Sequence, residues 1–509
     1  MSRGARIVAL VLLGSSASCT PPSAPPAVTE PEDSAVVLLN VPADPTISFS
    51  LQLAVGSQND PPGKEGLAFL TGEMLADAAT ETRSLDEILA ALYPLAAGYD
   101  IRVDVERSTL TGRVHRDNVD AYLELFTDAF LRPAFLEEDF ERVKSDAINA
   151  IENTLRYASD EELGKATLHD AVFRGTRYAH LSEGTVAGLR SITLDDVREF
   201  YRRHYTRANA LLGLGGGFDQ ALVDRVTAAV QQLPEGTRTE PPAIELAPLE
   251  GRSAVLVDKP NADASISFGF PLDVRRGERD FYALWIANSW LGEHRNQSSH
   301  LFNVIRERRG LNYGDYSYIE EFPEGGERSM PPVNVPRRMQ LFEVWIRTLP
   351  NAQATFALRA ALRELELLVE NGMTAEQFEL TRTFLKKYSL HFAETTAAKL
   401  GYAIDDRFYG IEGDGHLARF RRMMDELTLE DVNAAIERHW QTENLMIAVV
   451  TGEPEALREQ LASGGPTPIS YPTPKPPEIL EEDRIIEAWP LNVAAERVTT
   501  IPVTEAFER

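Results

Sequence analysis

One segment of this chain recurs in its second half at a constant offset, and that duplication limits the possible folds more than any other feature. Thr193-Leu194-Asp195-Asp196-Val197 answers to Thr428-Leu429-Glu430-Asp431-Val432. At the same offset Arg203-His204 matches Arg438-His439, Asn209 matches Asn444, and Gly217 matches Gly452. Each copy reads as a helix capped by Thr193 or Thr428, with Asp196 or Asp431 at the third position closing a capping box. An apolar strand follows in each, Ala210–Leu214 and Leu445–Val450. The starts of the halves also correspond: Ile47–Leu53 and Ile266–Phe270 alternate as strands, and each leads through a charged turn into an apolar helix.

The chain therefore divides into two homologous units, 35–235 and 252–464. Residues 236–251 between them, with Pro241-Pro242, have the composition of a linker. Residues 465–509, which open on prolines, read as an extended tail. Long helices are expected over Thr355–Glu370 and Thr374–Tyr388. Strands alternating with such helices around a mostly antiparallel sheet make each unit α+β. His204 and His439, the repeated histidines, read as packing or capping residues rather than ligands.

A length of 509 residues exceeds what a single core supports. Apolar content of 43% with 25% charged residues is that of a folded globular chain. The formal charge of −27, with no Lys/Arg cluster, excludes a nucleic-acid partner. The excess of acid reads as solvated surface, with an acidic chamber for basic peptides as the sharper alternative.

Arg3 and Arg6 precede the apolar run Ile7–Leu13 and small residues up to Ser18, the layout of a signal peptide over 1–19. Ser16-Ala17-Ser18-Cys19 resembles a lipoprotein box, with Ser16 where such boxes usually carry Leu. Cys19, the only cysteine, cannot form an internal disulfide and is the candidate lipidation site. The proline-rich 20–34 that follow suit a tether. The expected location is the bacterial cell envelope, periplasmic or as an outer-membrane lipoprotein, with the membrane reached only through that lipid.

Lys64-Glu65-Gly66-Leu67-Ala68-Phe69-Leu70-Thr71-Gly72-Glu73-Met74-Leu75 reads as the start of a helix on which positions 69, 72 and 73 share one face. A His-x-x-Glu-His run presents two imidazoles and a carboxylate to zinc and its water on such a face. Phe69, Gly72 and Glu73 stand there instead. No Gly-x-Ser-x-Gly nucleophile elbow occurs, and no other His pair has ligand spacing with a Glu.

Two homologous α+β units, a linker, this helix, Arg203-His204-Tyr205 before Asn209, and Leu301-Phe302-Asn303-Val304-Ile305-Arg306-Glu307-Arg308-Arg309-Gly310-Leu311-Asn312-Tyr313 together resemble the insulinase/pitrilysin metallopeptidases. That group includes the mitochondrial processing peptidase subunits and two-subunit bacterial enzymes. The resemblance runs from about Val36 to Leu461. It implies that the first zinc His falls on Phe69, the general base on Gly72, the second His on Glu73, and the distal Glu ligand on Glu152, upstream of the Gly175-Thr176 turn. It also implies that Arg306 and Tyr313 hold the substrate backbone, a guanidinium and a phenol donating to a carbonyl that gains charge.

The carried-over set is a half-site. Glu73 and Glu152 offer hard oxygens without imidazole or base, so this chain is expected to bind no zinc. A weak Ca²⁺ or Mg²⁺ site is conceivable, but two solvated carboxylates are the simpler reading. The resemblance implies a non-catalytic subunit that forms half of a clamshell. A homologous subunit with an intact motif would carry the zinc, and the pair would enclose an extended peptide. The alternative from another class is a peptide-binding scaffold without a protease role; a hydrolase with a relocated metal site ranks last.

Overall fold

In β2 (Thr46–Leu53), Ile47, Phe49, Leu51 and Leu53 alternate with Ser48, Ser50 and Gln52, and both sets are buried. A strand buried on both faces needs a layer on each side, and the fold supplies both. The computed structural model describes residues 35–509. The expected signal peptide, Cys19 and the tether lie outside the described residues.

The first sheet contains β1 (Val36–Asn40), β2, β3 (Gly98–Val103), β4 (Ser108–His115) and β5 (Ala210–Gly216), in the order β1-β5-β2-β4-β3. β1 runs parallel to β5 and every other pair is antiparallel. The second contains β6 (Arg252–Asp258), β7 (Ala264–Leu272), β8 (Asp315–Tyr318), β9 (Gln340–Leu349), β10 (Met446–Thr451) and β11 (Val493–Pro502). Its order is β11-β6-β10-β7-β9-β8. With β11 set aside, the two orders and pairing directions match strand for strand: β6 with β10 is parallel, and β10-β7-β9-β8 is antiparallel. The duplication read in the sequence is a duplication of the fold, two α+β units each built on a mostly antiparallel sheet.

The repeated residues perform the same local tasks in both copies. Thr193 accepts from the backbone of Asp196, and Thr428 from that of Asp431, each with the reciprocal carboxylate bond of a capping box. Asn209 ties its loop to His204 O and Thr239 N, while Asn444 holds Gly251 N. A Cβ on Gly217 or Gly452 would lie within 3 Å of a carbonyl oxygen, Asp44 O or Ala262 O, in the loop between the first two strands of its unit, which is why glycine recurs there.

One helix of each unit is given to the other. The helix Asp160–Phe173 lies on the second sheet, where a Cβ on Gly164 would be 3.6 Å from Ser265 O, and Leu163 packs with Val257 and Val450. The helix Thr396–Tyr409 lies on the first sheet, where Leu400 and Ile404 pack on Val37 and Leu39 and press against Gly213. Each sheet thus has its own helices on one face and an exchanged helix on the other.

The C-terminal residues correct the expectation of an extended tail. Pro477–Ile486 is a helix, and β11 adds in parallel to β6 at the edge of the second sheet. Arg309 anchors that helix: fully buried, it donates to Asp483 and Glu482 at 2.8 and 2.9 Å. Ile486, Leu491 and Val493 complete the second core. The prolines at the start of this segment shape its entry and do not prevent folding beyond them. Among the described residues no helix is long and apolar enough to cross a membrane.

Candidate functional site

The helix carrying the motif positions, Leu67–Ala76, begins at Gly66 in a left-handed conformation (φ 107°) and has no capping side chain of its own. Asp60 supplies the cap from outside, accepting from Gly66 N and Ala68 N at 2.7 Å each. A Cβ at position 66 would meet Glu183 O at 2.6 Å, so the helix start is pressed against the loop around Gly184.

Phe69 and Glu73 ride one turn apart, both half-buried, and Gly72 is buried between the helix and β3. A Cβ on Gly72 would stand 2.6 Å from Val103 Cγ2 and 3.4 Å from Ile101 Cδ1. The helix has settled onto β3 through the space a side chain would need, so the position of the general base is closed by packing. The Glu73 carboxyl has no hydrogen-bond partner among the described residues, its backbone oxygen alone accepting from Asp77 N. Burial first, then the charges of Asp100, Asp77 and Glu183, raise its carboxyl to about 7.

Glu152 lies on a π-helical segment, Ala150–Ala158. It accepts from Arg190 at 2.7 Å, and Arg190 also reaches Glu508 at 3.1 Å. Arg156, on the same segment, holds Glu508 at 2.9 Å and Ala506 O at 2.9 Å. Val186 N and Ala187 N bond to the carbonyls of Phe507 and Glu508. The chain that leaves the second sheet through β11 therefore returns to the first unit and engages the segment that bears the distal-ligand position. Nothing in the motif pointed to Arg190 or Glu508; the only signal was the absence of the imidazoles that would leave Glu152 in need of another cation.

These residues do not fit zinc. Among the described residues no group of three or more His, Cys, Asp or Glu is arranged to hold a metal ion. Glu152 is committed to an arginine, and burial raises the Glu73 carboxyl, which disfavours the ionised form a metal would need. His204 packs tilted against Phe200, ring centroids 4.5 Å apart, and bonds Thr239 at 3.0 Å, while His439 pairs with Asp280 at 2.7 Å.

Arg306 and Tyr313 flank the loop into β8, an edge strand. Asn312 folds that loop by donating to Gly314 O, Asp315 Oδ1 and Arg347 O. Tyr313 is 74% exposed and its ring faces the Arg347 guanidinium at 5.5 Å. Arg347 in turn pairs with Glu161 on the first unit's exchanged helix at 2.9 Å. Arg306 keeps a third of its side chain in solvent, with only the adjacent Glu307 at 3.7 Å as an ion-pair partner among the described residues. Both side chains are therefore available to a ligand, unlike the buried Arg309.

A model described as insulinase (peptidase family M16) matches residues 35–185, and one described as the peptidase M16 inactive domain matches 191–385. The chain belongs to peptidase family M16. An uncharacterized zinc protease of Streptomyces coelicolor is 26% identical over 354 residues, 67% of this chain and 71% of that one. A non-peptidase homologue of Helicobacter pylori is 22% identical over 396 residues, 76% and 85% of the two chains. A solved peptidase M16 inactive domain from Pseudomonas fluorescens superposes with a TM-score of 0.72 at 21% identity, covering 83% of this chain and 97% of the other. A protease from Helicobacter pylori does so at 0.69 and 16% identity, covering 82% and 96%. Within the M16 family, this member carries a degraded zinc motif.

Proposed function

We propose that this chain is the non-catalytic, peptide-holding subunit of a two-subunit zinc peptidase of the bacterial cell envelope. The observation that carries the reading is the contrast between its two half-sites. The zinc half is closed, by Val103 against Gly72 and by Arg190 on Glu152, while Arg306 and Tyr313 stay open to a ligand. In this scheme the partner is a homologous chain with an intact His-x-x-Glu-His, and two such chains close as a clamshell around an extended peptide. Zinc and general base belong to the partner; Arg306 and Tyr313 donate to the peptide backbone. The envelope location rests on the leader, Cys19 and the tether read in the sequence. The name of the Helicobacter pylori relative, a non-peptidase homologue, is consistent with a chain that does not cut by itself.

The test is a reconstituted pair with this chain carrying Arg306→Ala and Tyr313→Phe. Removing one donor to a developing oxyanion costs on the order of 100-fold. A fall in kcat/KM of that order, with the partner's zinc content unchanged, is expected. Unchanged kcat/KM would leave the scaffold reading in its place.

A further inference from the structure

At the junction of the two units and the linker lies a cavity of about 430 Å³. The turn between β3 and β4 brings Glu106 and Arg107 to it, and the linker brings Pro241. The second unit brings Arg275, Arg276 and Glu278 from the turn after β7, Arg338 from the approach to β9, and Phe408 and Arg419 from two helices. The chain as a whole carries a formal charge of −27, yet here the balance is reversed. Five arginines line the cavity against two carboxylates, Glu106 and Glu278.

Three of the five have acidic partners. Arg276 takes Glu320 at 2.8 Å and Asp405 at 3.3 Å, Arg338 takes Glu106 at 2.8 Å, and Arg275 takes Glu278 at 3.3 Å. Both carboxylates of the lining are thereby used. Arg107 and Arg419 have no ion-pair partner among the described residues. Arg107 donates to Glu106 O at 2.9 Å and stands 4.6 Å over the Phe408 ring, while Arg419 donates to Gly277 O at 3.0 Å. A guanidinium carries five N–H donors, so each keeps donors for a ligand. Both side chains are half-buried, unlike ordinary solvated surface cations. Burial holds the Arg107 guanidinium below the ordinary arginine range, and Arg238 and Arg338 repel it against the attraction of Glu106. An arginine stays charged nonetheless, so only an anion relieves that repulsion.

We infer that this cavity binds a phosphate group, with Arg107 and Arg419 as its principal donors. The two forks come from separate elements, the β3–β4 turn and the helix Gly415–Glu426, and Arg275 approaches from a third. Donors spread in this way suit a tetrahedral oxyanion with three free oxygens better than a planar carboxylate, which a single fork satisfies. The site is separate from Arg306 and Tyr313 and does not rest on the peptide-holding reading. Since its donors belong to both units, bound phosphate would tie the first unit's hairpin to the second unit and stabilise the folded chain.

The experiment is calorimetric titration of the full chain with inorganic phosphate, glycerol 3-phosphate and acetate at constant ionic strength, with melting temperatures recorded alongside. Inorganic phosphate is expected to bind and to raise the melting temperature, and acetate to do neither. A charge-assisted hydrogen bond corresponds to roughly 10- to 100-fold in affinity. Arg107→Gln and Arg419→Gln should each weaken phosphate by that factor, while Arg421→Gln, which removes a charge from the same helix as Arg419 but off the cavity, should leave affinity unchanged. If Arg107→Gln fails to fold, Arg419→Gln carries the test. Glycerol 3-phosphate binding as tightly as phosphate would identify a phosphomonoester as the ligand, and phosphate binding alone would identify the free ion; either supports the site. Acetate binding as tightly as phosphate would overturn the ligand class. Absence of phosphate binding, or equal loss in all three variants, would overturn the site itself.

Discussion

At the scale of single residues, the loss of the zinc half-site is a matter of volume as much as of chemistry. A Cβ at Gly72 already meets Val103 at 2.6 Å, so Gly72→Glu should destabilise the chain by about 2 kcal/mol, overpacking outweighing the helix propensity gained. Val103→Ala should recover part of that loss in a double-mutant cycle read by chemical denaturation; strictly additive effects would contradict the contact. Glu73 gives a pH signature. Its carboxyl is raised in the folded state, so the folded chain holds the proton more tightly than the unfolded one. The stability tied to that proton is complete below about 4.5, the ordinary value, and is lost as pH rises through about 7. Glu73→Gln should therefore leave stability unchanged near pH 4.5 and raise it by on the order of 1–2 kcal/mol at pH 8, partial exposure allowed for. A variant no more stable than the native chain at pH 8 would remove the burial argument. The sequence disclosed which residues replaced the ligands but not what holds them. Asp60 is near in the chain but caps the helix from outside the usual N-cap position, while Arg190 and Glu508 are distant from the Glu152 segment they engage, and no spacing rule connects them.

At the scale of elements, what could be read depended on how local the determinant was. The capped helices Leu194–His204 and Leu429–His439 were legible because Thr and Asp three residues apart settle a helix start by themselves. The alternating strands were legible for the same reason. The C-terminal segment was not, because Arg309 and the edge of β6 lie far from it in sequence, and prolines dominated the local signal. Deleting residues 465–509 should therefore expose the β6 edge and apolar core, giving a chain that aggregates or melts well below the native one. A truncated chain with native melting would show the segment to be dispensable. The exchanged helices were equally hidden, since amphipathic pattern names a buried face but not the sheet that buries it. Ile404→Ala, fully buried against the first sheet, should cost about 2–4 kcal/mol in denaturant unfolding. A cost below about 1 kcal/mol would mean that the helix is not needed there.

At the scale of the whole molecule, exchange makes the two units one folding entity despite their shared ancestry in sequence. Residues 35–251 lack the helix that covers one face of their sheet, and residues 252–509 lack theirs. Expressed separately, each fragment should be insoluble or partly folded, and expressed together they should form a soluble complex; two independently stable fragments would contradict the exchange. Between the units lies a cavity lined by nine carboxylates, with Tyr313 near one wall through Arg347 and Glu161. Its acid excess was legible only as a whole-chain charge of −27, because charge has no address until the chain folds. The central claim is that such a molecule grips a peptide and cannot cut it unaided. Elemental analysis of the purified chain after equilibration with zinc, alongside a chelator-controlled peptide hydrolysis assay, tests that claim most directly. The account predicts zinc far below stoichiometric and no turnover; stoichiometric zinc together with turnover abolished by chelator would contradict it.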